Sequence, residues 1–421
     1  MDLYIVTTLL VLLTSAFAYV NTRFLRLPET IGLMILSLAF SLFIVVGHRL
    51  DPIHFDPIWR LVGTIDYTTV VLDVMLSFLL FAGALHTDIA LLRRSWASIT
   101  LFALAGVIVS TFLIGGLLFA LLQVVGYPLG FIYCLLFGAL ISPTDPIAVL
   151  GILTRANVPK SVEIKIVGES LFNDGVGVVF FLTLLEIARR GVESVTFGEI
   201  VGLFAQEAVG GILFGLVLGY ALFYLLRSID HYQTEVLITV AAVMGGYALA
   251  NYLHISGPLA IVVAGLFTGD RAVGTAMSAT TEEYVERFWE LVDVILNAVL
   301  FVLIGFRLVT LDFEWLYFPV GFGAIGIQLA ARYLSIRLPL WLSRKWLYSS
   351  RQDPIMMTWG GLRGGLSIAM ALSIPESFTS KNLLVFITYA VVLFSILVQG
   401  LTLERVARRL YRDRPATGPA R

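Results

Sequence analysis

The sequence predicts an all-α polytopic membrane protein of about thirteen transmembrane helices, with two inverted structural repeats and unwound helices 5 and 12. Three observations carry that prediction. First, 58% of the 421 residues are hydrophobic and only 14% are charged, and the mean hydropathy is +0.92. A soluble domain is about 45–50% apolar and about 25% charged. Second, apolar runs long enough to cross a bilayer recur along the whole chain. Third, two of these runs are broken by residues that do not hold a helix, at corresponding places in a first and a last block of spans.

A spanning helix needs roughly 20 apolar residues, because the hydrocarbon core is about 30 Å thick and the rise is about 1.5 Å per residue. By that rule the spans fall at 4–21, 29–47, 65–85, 96–123, 129–151, 163–188, 199–226, 235–253, 255–269, 287–306, 316–340, 354–375 and 382–403. Residues 4–21 lack a basic leader and a small-residue cleavage site, so they read as a mature transmembrane helix. The fifth span contains Ser142-Pro143-Thr144-Asp145-Pro146, in which each proline removes a backbone donor and clashes with the preceding turn. The eighth and ninth spans are parted by a short break at 253–255. The twelfth holds Gly360-Gly361-Leu362-Arg363-Gly364-Gly365, a run that disfavours helix. Non-helical backbone at membrane depth survives only inside protein or beside a water-filled cavity. The two breaks lie seven spans apart, so the first block (spans 1–6) and the last (spans 8–13) run in opposite senses. Paired interruptions of this kind point to a transport site near the midplane.

Basic residues set the orientation. The side that holds the C-terminus carries Arg23, Arg26, Arg93, Arg94, Arg155, Lys160 and most of the others, whereas the opposite side carries Arg49, Arg60, Arg189, Arg190, Arg307 and Lys381. The expectation is a cytoplasmic C-terminus, an external N-terminus and a short basic cytoplasmic tail at 404–421. One cysteine, Cys134, excludes an internal disulfide framework, and five scattered histidines without an HExxH pattern give no metal site. No cofactor, nucleic acid or obligatory protein partner is called for, and membrane lipids are the expected surroundings.

The sixth span reads Gly168-Glu169-Ser170-Leu171-Phe172-Asn173-Asp174-Gly175. At about 100° per residue, Glu169, Ser170, Asn173 and Asp174 share an arc of about 140°. A charged side chain at the bilayer centre costs at least about 2.5–3.5 kcal/mol, so buried carboxylates need partners. Arg363, on the other broken span, is the available cation, and Glu169–Arg363 is the expected structural ion pair. That leaves Asp174 to hold a proton or a cation in turn. Hard monovalent cations take oxygen ligands. Asp174 offers a carboxylate, Ser170 a hydroxyl, and the unwound backbone at Thr144 a carbonyl. The hydroxyls of Ser170 and Thr144 have an alternative, bonding to backbone carbonyls. Asp145 has one too, accepting donors freed by the prolines or capping the half-helix that follows. Arg332 follows Gln328 by four residues and reads as a packing or headgroup arginine. Asn297 is a candidate for the interdomain surface, and Asn251, Tyr252 and His254 mark a span junction.

"SPTDPIAV" at 142–149, "GESLFNDG" at 168–175 and "GGLRGGLS" at 360–367, with about thirty residues between the two aspartates, resemble the monovalent cation:proton antiporter family. That family contains the prokaryotic NhaP-type exchangers and the animal sodium/hydrogen exchangers, and the likeness in hydropathy runs over essentially the whole chain. The resemblance implies a homodimer, crossed fifth and twelfth helices, and elevator-like alternating access in the cytoplasmic membrane. It implies a core domain, mostly 65–190 and 287–403, and a dimerisation domain, mostly 1–47 and 199–269. By motif, Asp174 is the carboxylate that binds cation and proton, and Thr144 and Ser170 are further sodium ligands. Asn173 before Asp174 is the form associated with electroneutral exchange. Asp145 joins the site, Glu169 and Arg363 form its ion pair, and Pro143, Pro146, Gly361 and Gly364 make the breaks. One departure stands out: Ala82 occupies a place where relatives often carry an acid, which leaves Asp73 or Asp88 as substitutes.

The expected activity is therefore exchange of sodium or lithium for protons. A potassium/proton exchanger of the same fold is the near alternative, because ligand chemistry does not reveal cavity size. A cation channel lacks support, as no repeated pore loop or filter sequence is present. An intramembrane aspartyl protease is disfavoured by the absence of a GxGD pattern and by the prolines around Asp145.

Overall fold

The computed structural model describes residues 3–56, 69–87, 89–145, 149, 153, 158, 160–191, 194–271, 276–307, 314–342, 352–378 and 380–411. Every described element is a helix or a turn, and no strand occurs among these residues. In order the helices are α1 (Leu3–Val20), α2 (Glu29–Leu50), α3 (Leu76–Leu85), α4 (Ile89–Val125), α5 (Phe131–Ile141), α6 (Lys160–Arg190), α7 (Phe197–Arg227) and α8 (Tyr232–Tyr252). They continue with α9 (Gly257–Arg271), α10 (Ala279–Arg307), α11 (Tyr317–Leu342), α12 (Asp353–Trp359), α13 (Gly365–Ser373), α14 (Lys381–Phe394) and α15 (Leu401–Tyr411). Short π-helical stretches extend α1 (Asn21–Leu25), lead into α3 (Thr69–Met75) and join α14 to α15 (Ser395–Gly400). Eight described helices are long and apolar enough to cross a membrane, and α3, α5 and most of α9 are shorter apolar helices.

Local sequence fixes the helix ends. Gly126 and Gly191 adopt positive φ just past α4 and α6, where a left-handed residue lets the chain turn back. Tyr127 N–H then donates to Leu122 O at 2.9 Å and Gly191 N–H to Ile187 O at 3.0 Å, closing carbonyls that the helix leaves open. Thr196 begins α7 with a reciprocal capping box: its N–H donates to Glu199 Oε2 at 2.7 Å while Glu199 N–H donates to its hydroxyl.

Two sets of helices pack among themselves. In one, α7 lies on α9, α9 on α3, and α10 on α2, α3 and α8. In the other, α4 lies on α5, α6 and α11, and α14 lies on α11 and α13. The α7–α9 contact is made by Gly211, Gly215 and Gly219: a Cβ on Gly211 would press on Ser256 O, and one on Gly215 on Ala260 O. The α4–α5 contact is similar, with Gly138 against Thr111 O. Lipid gives apolar side chains no reason to leave it, so such close backbone approach is how membrane helices associate.

Both predicted breaks are present. The fifth span stops being helical after Ile141, and the twelfth is split into α12 and α13 with residues 361–364 unwound between them. The breaks meet: Asp145 N–H donates to Leu362 O at 2.8 Å. Pro146, Asp88 and the side chain of Asp73 lie outside the described residues. The first part of the expected basic tail is helical, because α15 runs on to Tyr411, with Leu403, Ala407 and Tyr411 buried and the Tyr411 hydroxyl 3.3 Å from Asp353 Oδ1.

Candidate ion-binding site

The site is assembled where α6 passes the two breaks. Asn173 clamps the first break with both ends of its amide. Its Oδ1 accepts from Thr144 N–H at 3.2 Å, and its Nδ2 donates to Thr144 Oγ1 at 2.9 Å. Thr144 Oγ1 in turn lies 2.7 Å from Ser170 Oγ. All three side chains are buried, at 1% exposure each. The hydroxyls of Thr144 and Ser170 therefore bond to each other, and Thr144 also accepts from Asn173, an arrangement distinct from simple bonding to helix carbonyls.

Glu169 and Arg363 do not pair with each other. Glu169 is held by Arg332, with Nη1–Oε1 at 2.5 Å and Nη2–Oε2 at 3.0 Å. Arg332 and Glu169 are 3% and 1% exposed, so Arg332 is no headgroup arginine. Gly361 explains how Arg332 reaches the pair: a Cβ there would lie 2.9 Å from its Nε. Arg363 serves the break instead. Its Nη1 donates to Ser142 O and, at 2.5 Å, to Pro143 O. A proline-broken helix leaves carbonyls without helical donors, and a cation from the opposite break satisfies them. Arg363 N–H is anchored on Ser395 Oγ at 2.9 Å.

Asp174 is placed differently from every other polar residue of the cluster. It is half-buried, and no described residue hydrogen-bonds to it or forms an ion pair with it. It lines a cavity of about 70 Å³ together with Thr144, Asp145, Asn297 and Ser367. The like charge of Asp145 and the opposite charge of Arg363 both act on it. A space of this size holds an ion with a few water-sized molecules. Asp145 is half-buried on the same cavity, with its carboxylate directly against Gly364. A side chain at 364 would collide with that carboxylate, and one at Gly177 would collide with Pro143. The glycines at the second break and on α6 thus let the two breaks and α6 close on one point.

Sequence reasoning missed two contributors. Arg332 could have been found as a lone arginine deep in an apolar span, where a buried carboxylate partner is the usual reason. Asp293 sits one helical turn before Asn297, whose Nδ2 donates to Asp293 Oδ1 at 3.1 Å and to Asp293 O at 2.9 Å. The acid missing near position 82 is not replaced at 82 itself: Ala82 is fully buried, and its carbonyl lies 2.7 Å from His86 Nδ1.

The arrangement is a carboxylate without a hydrogen bond or ion pair among the described residues, on a small cavity where two unwound breaks meet. Comparisons with known proteins give the family. Residues 9–409 match the model of the sodium/hydrogen exchanger transmembrane family. The chain is 48% identical over 408 residues to the Na(+)/H(+) antiporter NhaP of Pseudomonas aeruginosa, covering 96% of each. It is 34% identical over 412 residues to the Na(+)/H(+) antiporter NhaH of Halobacillus dabanensis, again covering 96% of each. The fold matches that of the sodium proton antiporter MjNhaP1 from Methanocaldococcus jannaschii, with a TM-score of 0.76 at 22% identity over 97% of this chain and 99% of that one. Sequence, crossed breaks and overall fold agree, and the chain belongs to the sodium/hydrogen exchanger family of membrane transporters.

Proposed function

We propose that the protein is a secondary active antiporter that exchanges sodium, or lithium, for protons across the cytoplasmic membrane, and that Asp174 binds cation and proton in competition. The observation that carries this reading is the state of Asp174. It is the acid of the cluster that has neither hydrogen bond nor ion pair among the described residues, and it faces the cavity. A carboxylate so placed favours a bound charge, and it holds either a proton or a metal ion. Glu169 is neutralised by Arg332, and Asn173 is an amide, so a single carboxylate changes partner. One sodium for one proton moves no net charge.

Elevator-like alternating access fits the packing. The set α4–α6 with α11–α14 is the moving core, and α1–α3 with α7–α10 is the frame. On this reading the third and tenth spans belong to the frame, whereas the motif resemblance assigns them mostly to the core. Pairing of two copies through the frame belongs to the same reading, as do an external N-terminus and a cytoplasmic C-terminus. A potassium/proton exchanger remains the alternative, separated by the ion that drives exchange.

The test is Asp174→Asn in reconstituted vesicles. The variant should insert and fold as the parent does and exchange no cation for protons. Exchange at the parent's rate would remove Asp174 from its role.

A further inference from the structure

A second cavity, about 330 Å³, lies beside the first. One wall is apolar and comes from Val178, Phe181 and Leu182 of α6 with Met370 of α13. The other is polar: Glu207 from α7, Asn251 from the end of α8, and His254 and Ser256 from the α8–α9 turn. That polar corner is firmly built. Ser256 N–H donates to Glu207 O at 3.2 Å, and Gln206 Nε2 donates to His254 O at 3.4 Å. Leu259 N–H donates to Ser256 Oγ at 3.2 Å, and His254 takes a left-handed backbone with φ of 53°.

Glu207 Oε2 is buried and accepts no hydrogen bond from any described residue. Among the residues that line the cavity, His254 is the one able to carry positive charge. A carboxylate within a membrane-spanning helix and without a donor needs a cation or a proton. Around it are the ligands that a hard monovalent cation takes: carboxylate, amide oxygen and hydroxyl.

The two cavities share a single lining residue, Leu76. It is buried, and it begins α3 directly after the π-helical stretch Thr69–Met75. π-Helical turns are frequent at functional sites, because they redirect the side chains that follow. Along α6, the Asp174 cavity is succeeded by the second one, about one to two turns nearer the Arg190 end.

We propose that the Glu207 cavity is a second holding site for a small monovalent cation, on the far side of Leu76 from Asp174. The proposal rests on the reading of Asp174 as the exchanging carboxylate, since it makes Glu207 the station from which Asp174 is loaded or into which it unloads. Glu207, Asn251 and Ser256 belong to the set of helices that forms the frame, so this polar wall stays fixed while α6 and α13 carry the Asp174 site past it.

Sodium-specific thermal stabilisation of the purified full-length protein tests this, with sodium chloride exchanged for choline chloride at constant ionic strength. A ligand that binds the folded state raises the melting temperature by mass action. Asp174→Asn should keep part of the sodium-specific rise, and Asp174→Asn with Glu207→Gln should lose it. Glu207→Gln alone should keep the part due to Asp174, and Glu207→Asp should restore the rise in the Asp174→Asn background. If Asp174→Asn alone shows no sodium-specific rise, or if adding Glu207→Gln leaves the remaining rise unchanged, the second site does not exist. Retention of the full parental rise in Asp174→Asn would instead contradict the role given to Asp174, whatever Glu207 does. Should the Glu207→Gln protein not fold, Asn251→Ala in the Asp174→Asn background serves in its place: a smaller rise supports the site, and an unchanged one overturns it.

Discussion

Removing Glu169 and Arg332 together should harm the protein less than the sum of removing each alone. The pair is bidentate, at 2.5 and 3.0 Å, and both side chains are almost wholly buried. Each hydrogen bond to a charged group contributes about 1.5–3 kcal/mol, and leaving one partner of a buried pair behind costs about 3–5 kcal/mol. Glu169→Gln and Arg332→Gln should each destabilise by that amount. The double variant carries no stranded charge and should fall short of their sum by about 2–3 kcal/mol, the upper part of the range for directly coupled residues. The assay is thermal unfolding of purified protein at one fixed scan rate, because irreversible unfolding makes the apparent melting temperature rate-dependent. The parallel cycle of Glu169→Gln with Arg363→Gln should show a smaller coupling, since Arg363 is bonded to Ser142 and Pro143 carbonyls. Additive effects for Glu169 and Arg332, or a larger coupling for Glu169 and Arg363, would refute the assignment.

Two further substitutions probe the clamp and the crossing. Asn173→Ala loses both bonds to Thr144 and should destabilise by about 1–3 kcal/mol, with a loss of exchange; a melting temperature equal to the parent's would show that the clamp carries no load. Gly364→Ala puts a methyl group into the Asp145 carboxylate, and overpacking of this kind costs about 1–3 kcal/mol. Cation exchange should fall while the protein still inserts, and unaltered exchange would show that Asp145 can move aside freely.

Much of this molecule is legible in its sequence because lipid imposes a simple rule. Every backbone group must be satisfied within the chain, so the fold is helical, and every break at depth has a reason. Pro143 and the run from Gly360 to Gly365 were therefore readable as the two crossing breaks. The arc from Glu169 to Asp174 was readable from helical spacing alone. Partner choice was not. Glu169 had two buried arginines within reach of a plausible fold, and nothing in their spacing says that Gly361 opens a passage for Arg332 while Arg363 is drawn to the carbonyls of the opposite break. Helix neighbours were not legible either: α3 and α10 are as apolar as the helices around them, and their packing on α9 and α2 is seen only in the structure. The Gly211, Gly215 and Gly219 stripe was open to reading, since glycines four residues apart on an apolar helix mark a close contact.

The central claim, that one carboxylate exchanges one monovalent cation for one proton, is tested most directly in proteoliposomes loaded with a pH dye. Sodium, lithium or potassium would be added outside with the membrane potential either free or clamped. The account predicts that sodium, and lithium in its place, dissipates a proton gradient at a rate indifferent to the potential. A rate that follows the potential would mean that a second carboxylate shares the cycle, with Asp145 the nearest one on the same cavity, and would contradict the single-carboxylate account.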